Sequence, residues 1–163
     1  YPDYDFYDKI ALIYGAGGSA RAISSSLISN GVKEVRITNR TRSKAQIISE
    51  NLGAKVSVID WRSAPENLKQ ADLIINTTSM GMLGQPEFSQ PISRASKSAL
   101  VVDIVYNPLQ TDLINQANSL NLKTVTGIGM LINQAIPGFE HWFQQTPEIE
   151  KDLRDYLLKD DNG

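Results

Sequence analysis

Six small residues in a row, Gly15, Ala16, Gly17, Gly18, Ser19 and Ala20, offer the clearest chemistry in this 163-residue sequence. They follow Ile10-Ala-Leu-Ile-Tyr14, a short apolar run that reads as a buried strand. They open a segment, Ser19 to Asn30, in which Ala20, Ile23, Leu27 and Ile28 recur on one helical stripe ahead of a stop at Gly31. Strand, glycine turn and helix start form the setting in which a G-x-G-x-x-G/A loop cradles a pyrophosphate. Gly15 permits the tight turn, Gly17 removes a Cβ that would hold the phosphate off, and Ala20 lets helix and strand pack closely. The helix start offers free N–H groups and partial positive charge. A glycine turn that only packs tightly is the competing reading.

The end of the next strand chooses between cofactors. A carboxylate there would bond the ribose 2′-hydroxyl of NAD. This sequence instead has Asn39, Arg40, Thr41, Arg42, Ser43 and Lys44. Asn39, Arg40, Thr41 and Lys44 are donors suited to a 2′-phosphate, and the Arg40 guanidinium can lie on an adenine face. Basic charge at a helix start opposes the helix dipole, so a merely solvated helix end is the less favourable reading. Two charge-assisted bonds, partly solvated, favour NADP(H) over NAD by about a hundredfold.

Alternating elements must position these groups. Glu34–Thr38 alternates as a second strand, and Thr41 can cap a helix carrying Ala45, Ile48 and Leu52 to Gly53. Lys55–Ile59 is a third strand, 64–71 a short helix or turn, and Leu73–Asn76 and Leu100–Asp103 two apolar strands. Thr111 to Asn121 is helical, Lys123–Thr126 is a sixth strand, and helices follow from about Met130 to Phe143 and from Pro147 to Leu158. Thr146-Pro147-Glu148 has the cap, proline and acid of a helix start. The pattern predicts an α/β fold, a doubly wound, mostly parallel six-stranded Rossmann-type sheet with helices on both faces. Ligands of such sheets lie beyond the carboxyl ends of the strands, which gathers Gly15, Asn39, Asn76, Asp103 and Gly127 into one crevice. Asp103, ending an apolar strand, reads as a loop-pinning carboxylate.

Composition narrows the chemistry. There is no cysteine and one histidine, so thiolate nucleophiles, disulfides and Cys- or His-rich metal sites are excluded, and no metal is expected. The net charge of −2 speaks against a nucleic-acid partner. No apolar stretch approaches the roughly 18 residues of a membrane span. Residues 1–8 are acidic and aromatic, unlike a signal peptide. A cytoplasmic protein is expected. On residue chemistry alone Tyr106 reads as a strand-end aromatic, Gln134 as a surface polar residue, Met130 as core and His141 as structural or surface.

Five ordered blocks carry a resemblance: GAGGSARA (15–22), NRTRSKA (39–45), NTTSMGM (76–82), DIVYNP (103–108) and GIGMLINQA (127–135). From about Ile10 to Phe143 the chain resembles the C-terminal NADP-binding half of shikimate dehydrogenase. That family reduces 3-dehydroshikimate to shikimate with NADPH in aromatic amino-acid biosynthesis. The resemblance implies that Gly15 to Ser19 hold the pyrophosphate, and that Asn39, Arg40, Thr41 and Lys44 clamp the adenosine 2′-phosphate. Lys44 stands where many members have Arg. It places Thr78 and Ser79 beside the cofactor, Ile104, Gly127 and Met130 at its nicotinamide end, and Tyr106 and Gln134 against the shikimate-type substrate. It assigns no catalytic residue to this chain, because the family's catalytic Lys–Asp pair belongs to an N-terminal substrate domain. The implied organisation is a linker remnant at 1–8, an NADP-binding domain at 9–146, and a helix at 147–163 returning toward the other domain. Binding of NADPH without turnover is expected of the chain alone. So is an uncovered apolar patch near Met130, Phe139, Trp142 and Phe143, favouring self-association. A quinate/shikimate dehydrogenase paralogue and a non-catalytic NADP-sensing module are the alternatives.

Overall fold

The computed structural model of the protein describes residues 4–149 together with Leu153, Tyr156 and Leu157. Six strands, β1 (Ile10–Tyr14), β2 (Glu34–Thr38), β3 (Val56–Val58), β4 (Leu73–Asn76), β5 (Leu100–Asp103) and β6 (Lys123–Val125), form one sheet in the order β3-β2-β1-β4-β5-β6. Every pairing is parallel, so the expected "mostly parallel" sheet is wholly so. The connecting helices are α1 (Gly18–Ser29), α2 (Arg42–Leu52), α3 (Ala64–Asn67) with a 3₁₀ turn after it, α4 (Asp112–Ser119) and α5 (Ile128–Phe143).

Both faces of the sheet are covered, which is why the central strands are apolar throughout rather than alternating. On one face Ala11, Ile13, Val35, Ile37 and Ile75 pack with Ala20 and Leu27 of α1 and Ala45 and Ile48 of α2. On the other, Leu12, Tyr14, Ile74 and Val101 pack with Ala64, Phe88, Ile92, Leu113 and Ala117. Tyr4 and Phe6 lie half-buried against the first face, and the Asp8 N–H donates to the Gly31 carbonyl at 3.1 Å.

The strand order reverses direction between β1 and β4. The chain leaves β1 toward one face and β4 toward the other, and the two loops part at their carboxyl ends. Pairing puts Thr38, Tyr14, Asn76 and Asp103, the last residues of β2, β1, β4 and β5, in one row across the sheet. The residues after that row form the rim of the crevice.

Helix ends differ from the sequence pattern in three places. Thr41 holds the N-cap position of α2, but its hydroxyl makes no cap bond. The helix expected from about Met130 begins at Ile128. The helix expected at Pro147 does not start there: the Thr146 hydroxyl turns back to donate to the Glu140 carboxylate at 2.6 Å, and Pro147 to Ile149 are non-helical. Leu153, Tyr156 and Leu157 are helical, and the rest of the expected 147–163 segment lies outside the described residues. Among the described residues no helix is long and apolar enough to cross a membrane.

Candidate functional site

Gly15 has φ +112°, where side chains are strained, and its N–H donates to the Thr38 carbonyl at 2.8 Å. A Cβ there would also collide with Thr77, whose carbonyl carbon lies 3.0 Å from the Cβ position. Thr77 is fixed in turn, since its N–H and hydroxyl both donate to the Tyr14 carbonyl at 2.8 Å. The loop after β1 is thereby clamped against the loop after β4. Gly17 and Gly18 are different. Both are exposed, and a Cβ on either would meet nothing within 4 Å. Among the described residues nothing requires their missing side chains, which leaves both positions open to close approach from outside.

Gly17 sits at the N-cap of α1 and supplies no side-chain cap, and the first turn of α1 holds no acid. Its leading N–H groups and the positive end of the dipole face outward. Ser19 is exposed in that first turn.

A crevice of about 340 Å³ opens beside this loop. Gly15, Ala16 and Gly17 line it from β1, Asn39, Arg40 and Lys44 from the β2 end, and Thr77, Thr78 and Ser79 from the β4 end, with Trp61 closing a side. A shallower depression of about 290 Å³ adjoins it, where Arg21 and Lys44 stand beside Gly17 and Gly18. Most of the residues expected to hold a cofactor thus come together. Thr41 lies outside the crevice lining, and its carbonyl accepts from the Asn39 side chain at 2.9 Å, which steadies Asn39 on the rim. Thr77, Trp61 and Arg21 were not singled out by sequence. Thr77 adjoins Thr78 in its block, and the demand Gly15 makes on its neighbour was the available signal. Trp61 and Arg21 had none that spacing could supply.

The cations of this corner are uncommitted. Neither Arg40 nor Lys44 forms an ion pair among the described residues, whose salt bridges join Lys9 to Asp72 and Arg36 to Glu34. Arg42 instead reaches the Val58 carbonyl at 3.4 Å. No acid occurs between Thr38 and Ala45. Two exposed cations, an uncapped helix start and two open glycines could together hold an anion beside this crevice.

At the β4–β5 end of the row the side chains of Asn76, Asp103 and Thr111 are all engaged, whereas the buried hydroxyls of Tyr14 and Thr38 have no partner among the described residues. The Asn76 side chain donates to Asp103 Oδ1 at 3.0 Å and to the Met80 carbonyl at 3.2 Å, while its oxygen accepts from the Thr78 N–H at 3.0 Å and hydroxyl at 2.7 Å. Asp103 also accepts from the Val105 N–H at 3.0 Å and from the Thr111 hydroxyl at 2.6 Å, and Thr111 caps α4 by accepting from the Ile114 N–H. Burial pushes the Asp103 carboxyl above its usual value. The bonds from Thr111, Val105 and Asn76 pull it back down, and the Asp112 charge raises it again. Both of its oxygens are occupied, so Asp103 pins loops, as the sequence implied.

The remaining expected residues lie after β5, after β6 and on α5. Gly127 is buried, a Cβ there would strike the Ile104 carbonyl, and its N–H donates to the Val105 carbonyl at 3.3 Å. Its glycine is therefore accounted for by internal packing. Ile104 and Met130 are half-buried, and Tyr106 and Gln134 are exposed. None of these five lines the crevice of the glycine loop. At the far end of α5, Phe139 and Phe143 stack with centroids 4.6 Å apart, and Trp142 and Phe143 are 76% and 59% exposed. Met130, expected in the same patch, is half-buried at the opposite end of the helix, apart from these rings. No group of His, Cys, Asp and Glu able to hold a metal occurs among the described residues.

Residues 3–130 match the model of the "Shikimate / quinate 5-dehydrogenase" family. The chain belongs to that family. A shikimate dehydrogenase (NADP(+)) of Ruegeria sp. (strain TM1040) is 45% identical over 157 residues, 96% of this chain and 57% of the relative. The chain thus spans little more than half the length of such a shikimate dehydrogenase. Quinate dehydrogenase from Corynebacterium glutamicum, solved in complex with NAD, superposes with a TM-score of 0.86 at 27% identity, over 97% of this chain and 57% of that one. Shikimate 5-dehydrogenase from Thermus thermophilus, solved with NADP(H) and shikimate, gives 0.74 at 28% identity, over 93% and 54%.

Proposed function

We propose that this chain is the NADP-binding part of a shikimate dehydrogenase, and that it holds NADP(H) across the β1–β4 crevice. The carrying observation is the pairing of two glycines open to the outside, Gly17 and Gly18, with two uncommitted cations, Arg40 and Lys44, around one crevice. The N–H groups at Gly18 and Ser19 would take the pyrophosphate at the start of α1. Asn39, Arg40, Thr41 and Lys44 would take the adenosine 2′-phosphate, with Thr78 and Ser79 forming the opposite rim. Ile104, Gly127 and Met130 would back the nicotinamide end, and Tyr106 and Gln134 would contact a shikimate-type substrate.

Bound NADPH supplies the hydride for a ketone-to-alcohol reduction, and the chain's share of catalysis is to position it. No acid–base pair lines this crevice among the described residues: Lys44 is taken by the 2′-phosphate in this reading, Asp103 has both oxygens engaged, and His141 lies exposed on the last turn of α5. We place the acid–base pair in the remaining length of such relatives, so residues 1–163 alone bind cofactor and do not turn over. The quinate dehydrogenase likeness favours a second reading, a quinate-linked enzyme using NAD, but the Asn39–Lys44 segment lacks the carboxylate that would grip NAD.

Calorimetry tests the reading. NADP should bind about a hundredfold more tightly than NAD, and Arg40→Ala should remove about tenfold or more of NADP affinity while leaving NAD nearly unchanged. Because both cations are exposed, the preference should weaken as salt rises. Equal affinity for the two cofactors would overturn it. NADP-linked oxidation of shikimate by the chain alone would overturn the separate placement of the acid–base pair.

A further inference from the structure

Trp61 is the one large aromatic residue lining the crevice, and neither phosphate binding nor hydride positioning has a use for it. It stands on the loop after β3, an edge strand three residues long, and packs half-buried against the core cluster that contains Leu12, Tyr14, Ile74 and Phe88. The ring is held from beneath. Tyr14, fully buried at the end of β1, meets Trp61 edge-on with centroids 5.6 Å apart and an interplanar angle of 85°. Phe88 meets Tyr14 in the same way at 5.1 Å and 87°. Edge-to-face pairs at these spacings are attractive. Among the described residues the Tyr14 hydroxyl has no hydrogen-bond partner. Its ring therefore acts through packing alone. Three rings run from the core to the crevice wall, and the outermost is half-buried and lines the same crevice as Arg40 and Asn39.

A planar cation and a supported indole lining one crevice suit a flat, electron-rich heterocycle. Resting on the cofactor reading above, we propose that Trp61 forms one wall of an adenine slot completed by the Arg40 guanidinium. The 2′-phosphate contacts of Arg40 and Lys44 select the phosphorylated cofactor. The indole grips the base whichever cofactor carries it, and the Tyr14–Phe88 support fixes its orientation before the ligand arrives, which lowers the ordering cost of binding.

Tryptophan fluorescence provides a readout independent of activity. The sequence has two tryptophans, and Trp142 is exposed at the far end of α5, so Trp142→Phe leaves Trp61 as the reporter. In that background, adenosine 2′,5′-bisphosphate should quench the emission as fully as NADP does, and nicotinamide mononucleotide should leave it unchanged. In the otherwise unaltered chain, Trp61→Leu should weaken both NADP and NAD by about tenfold to a hundredfold, and Trp61→Phe should stay within about threefold. The phenylalanine variant, with thermal unfolding of both, separates a stacking loss from a folding loss. NADP binding by calorimetry with no response of Trp61 to the adenosine bisphosphate would overturn the slot while leaving the cofactor reading intact. So would wild-type affinity in Trp61→Leu. Absence of NADP binding to the unaltered chain would overturn the cofactor reading, and the slot with it.

Discussion

Two neighbouring corners at the same end of the sheet treat polar groups in opposite ways. At the β1–β2 corner, Arg40, Lys44 and the start of α1 are polar, exposed and without partners that satisfy them. At the β4–β5 corner, Asn76, Asp103 and Thr111 are fully buried, and each is joined to the others or to backbone. Glycine divides along the same line. Gly15 and Gly127 are required by contacts inside the protein, whereas Gly17 and Gly18 face open space. Residue type alone marks both corners as interesting. Engagement separates them, since groups already satisfied internally build the scaffold and groups left free are available to a ligand.

The largest effect should come from breaking the engaged corner. Asp103→Ala strips the acceptor from three buried donors, the Asn76 amide, the Val105 N–H and the Thr111 hydroxyl. Leaving buried donors unsatisfied costs about 1–3 kcal/mol each, so a loss of about 3–5 kcal/mol is expected in urea unfolding. A loss below about 1 kcal/mol would mean that the network is ornamental and the contrast between corners false.

The glycines sharpen the same contrast on a smaller scale. Gly15→Ala meets both a positive φ and Thr77, and should cost about 2–4 kcal/mol of stability. Gly17→Ala meets nothing, and should cost at most about 1 kcal/mol as an N-cap exchange. Its effect should fall on NADP affinity, reduced about tenfold or more by a Cβ between backbone and pyrophosphate. If Gly17→Ala unfolds as easily as Gly15→Ala and binds NADP as the unaltered chain does, the open glycines are structural after all.

These differences also explain what could be read from the sequence alone. Strand positions were legible because central parallel strands are continuous apolar runs between glycine or polar stops, as in Ile10–Tyr14 and Leu73–Asn76. One of the two three-residue edge strands, β3, came out at Val56–Val58 inside an expected Lys55–Ile59, because its paired register with β2 runs only from Val56 to Val58. The glycine loop and basic cluster were legible because their residue types are unusual for their places. Trp61 was not, because an aromatic residue in a loop carries no periodicity. It reaches the crevice only through the strand order that puts β3 at the edge beside β2. The start at Pro147 misled because local capping chemistry lost to a bond between Thr146 and Glu140 of the preceding helix. Ile104, Gly127, Met130, Tyr106 and Gln134 rest on resemblance, since their own chemistry points to packing or surface.

The smallest and most discriminating effect is one of pH at Asp103. Burial raises its carboxyl above the usual 3.8 despite the bonds from Thr111, Val105 and Asn76, so the folded protein holds this proton more tightly than the unfolded chain. The stability it contributes is therefore fully present below pH 3.8 and is lost as pH rises through the folded value. Glu34 moves the other way, because its bond from Arg36 outweighs its partial burial and lowers its carboxyl, so its stabilisation is lost as pH falls. Glu34 is common to the unaltered protein and Asp103→Asn, and it cancels when their unfolding free energies are subtracted. The Asn variant keeps an acceptor for the Val105 N–H but cannot titrate. The unaltered protein minus Asp103→Asn should then be most favourable at the acid end and shrink toward neutral pH, with a slope no steeper than about 1.4 kcal/mol per pH unit. A difference that grows as pH rises would mean that the ionised carboxylate is the form this corner prefers. Hydrogen bonds would then outweigh desolvation, and the two corners would differ in burial but not in their tolerance for charge.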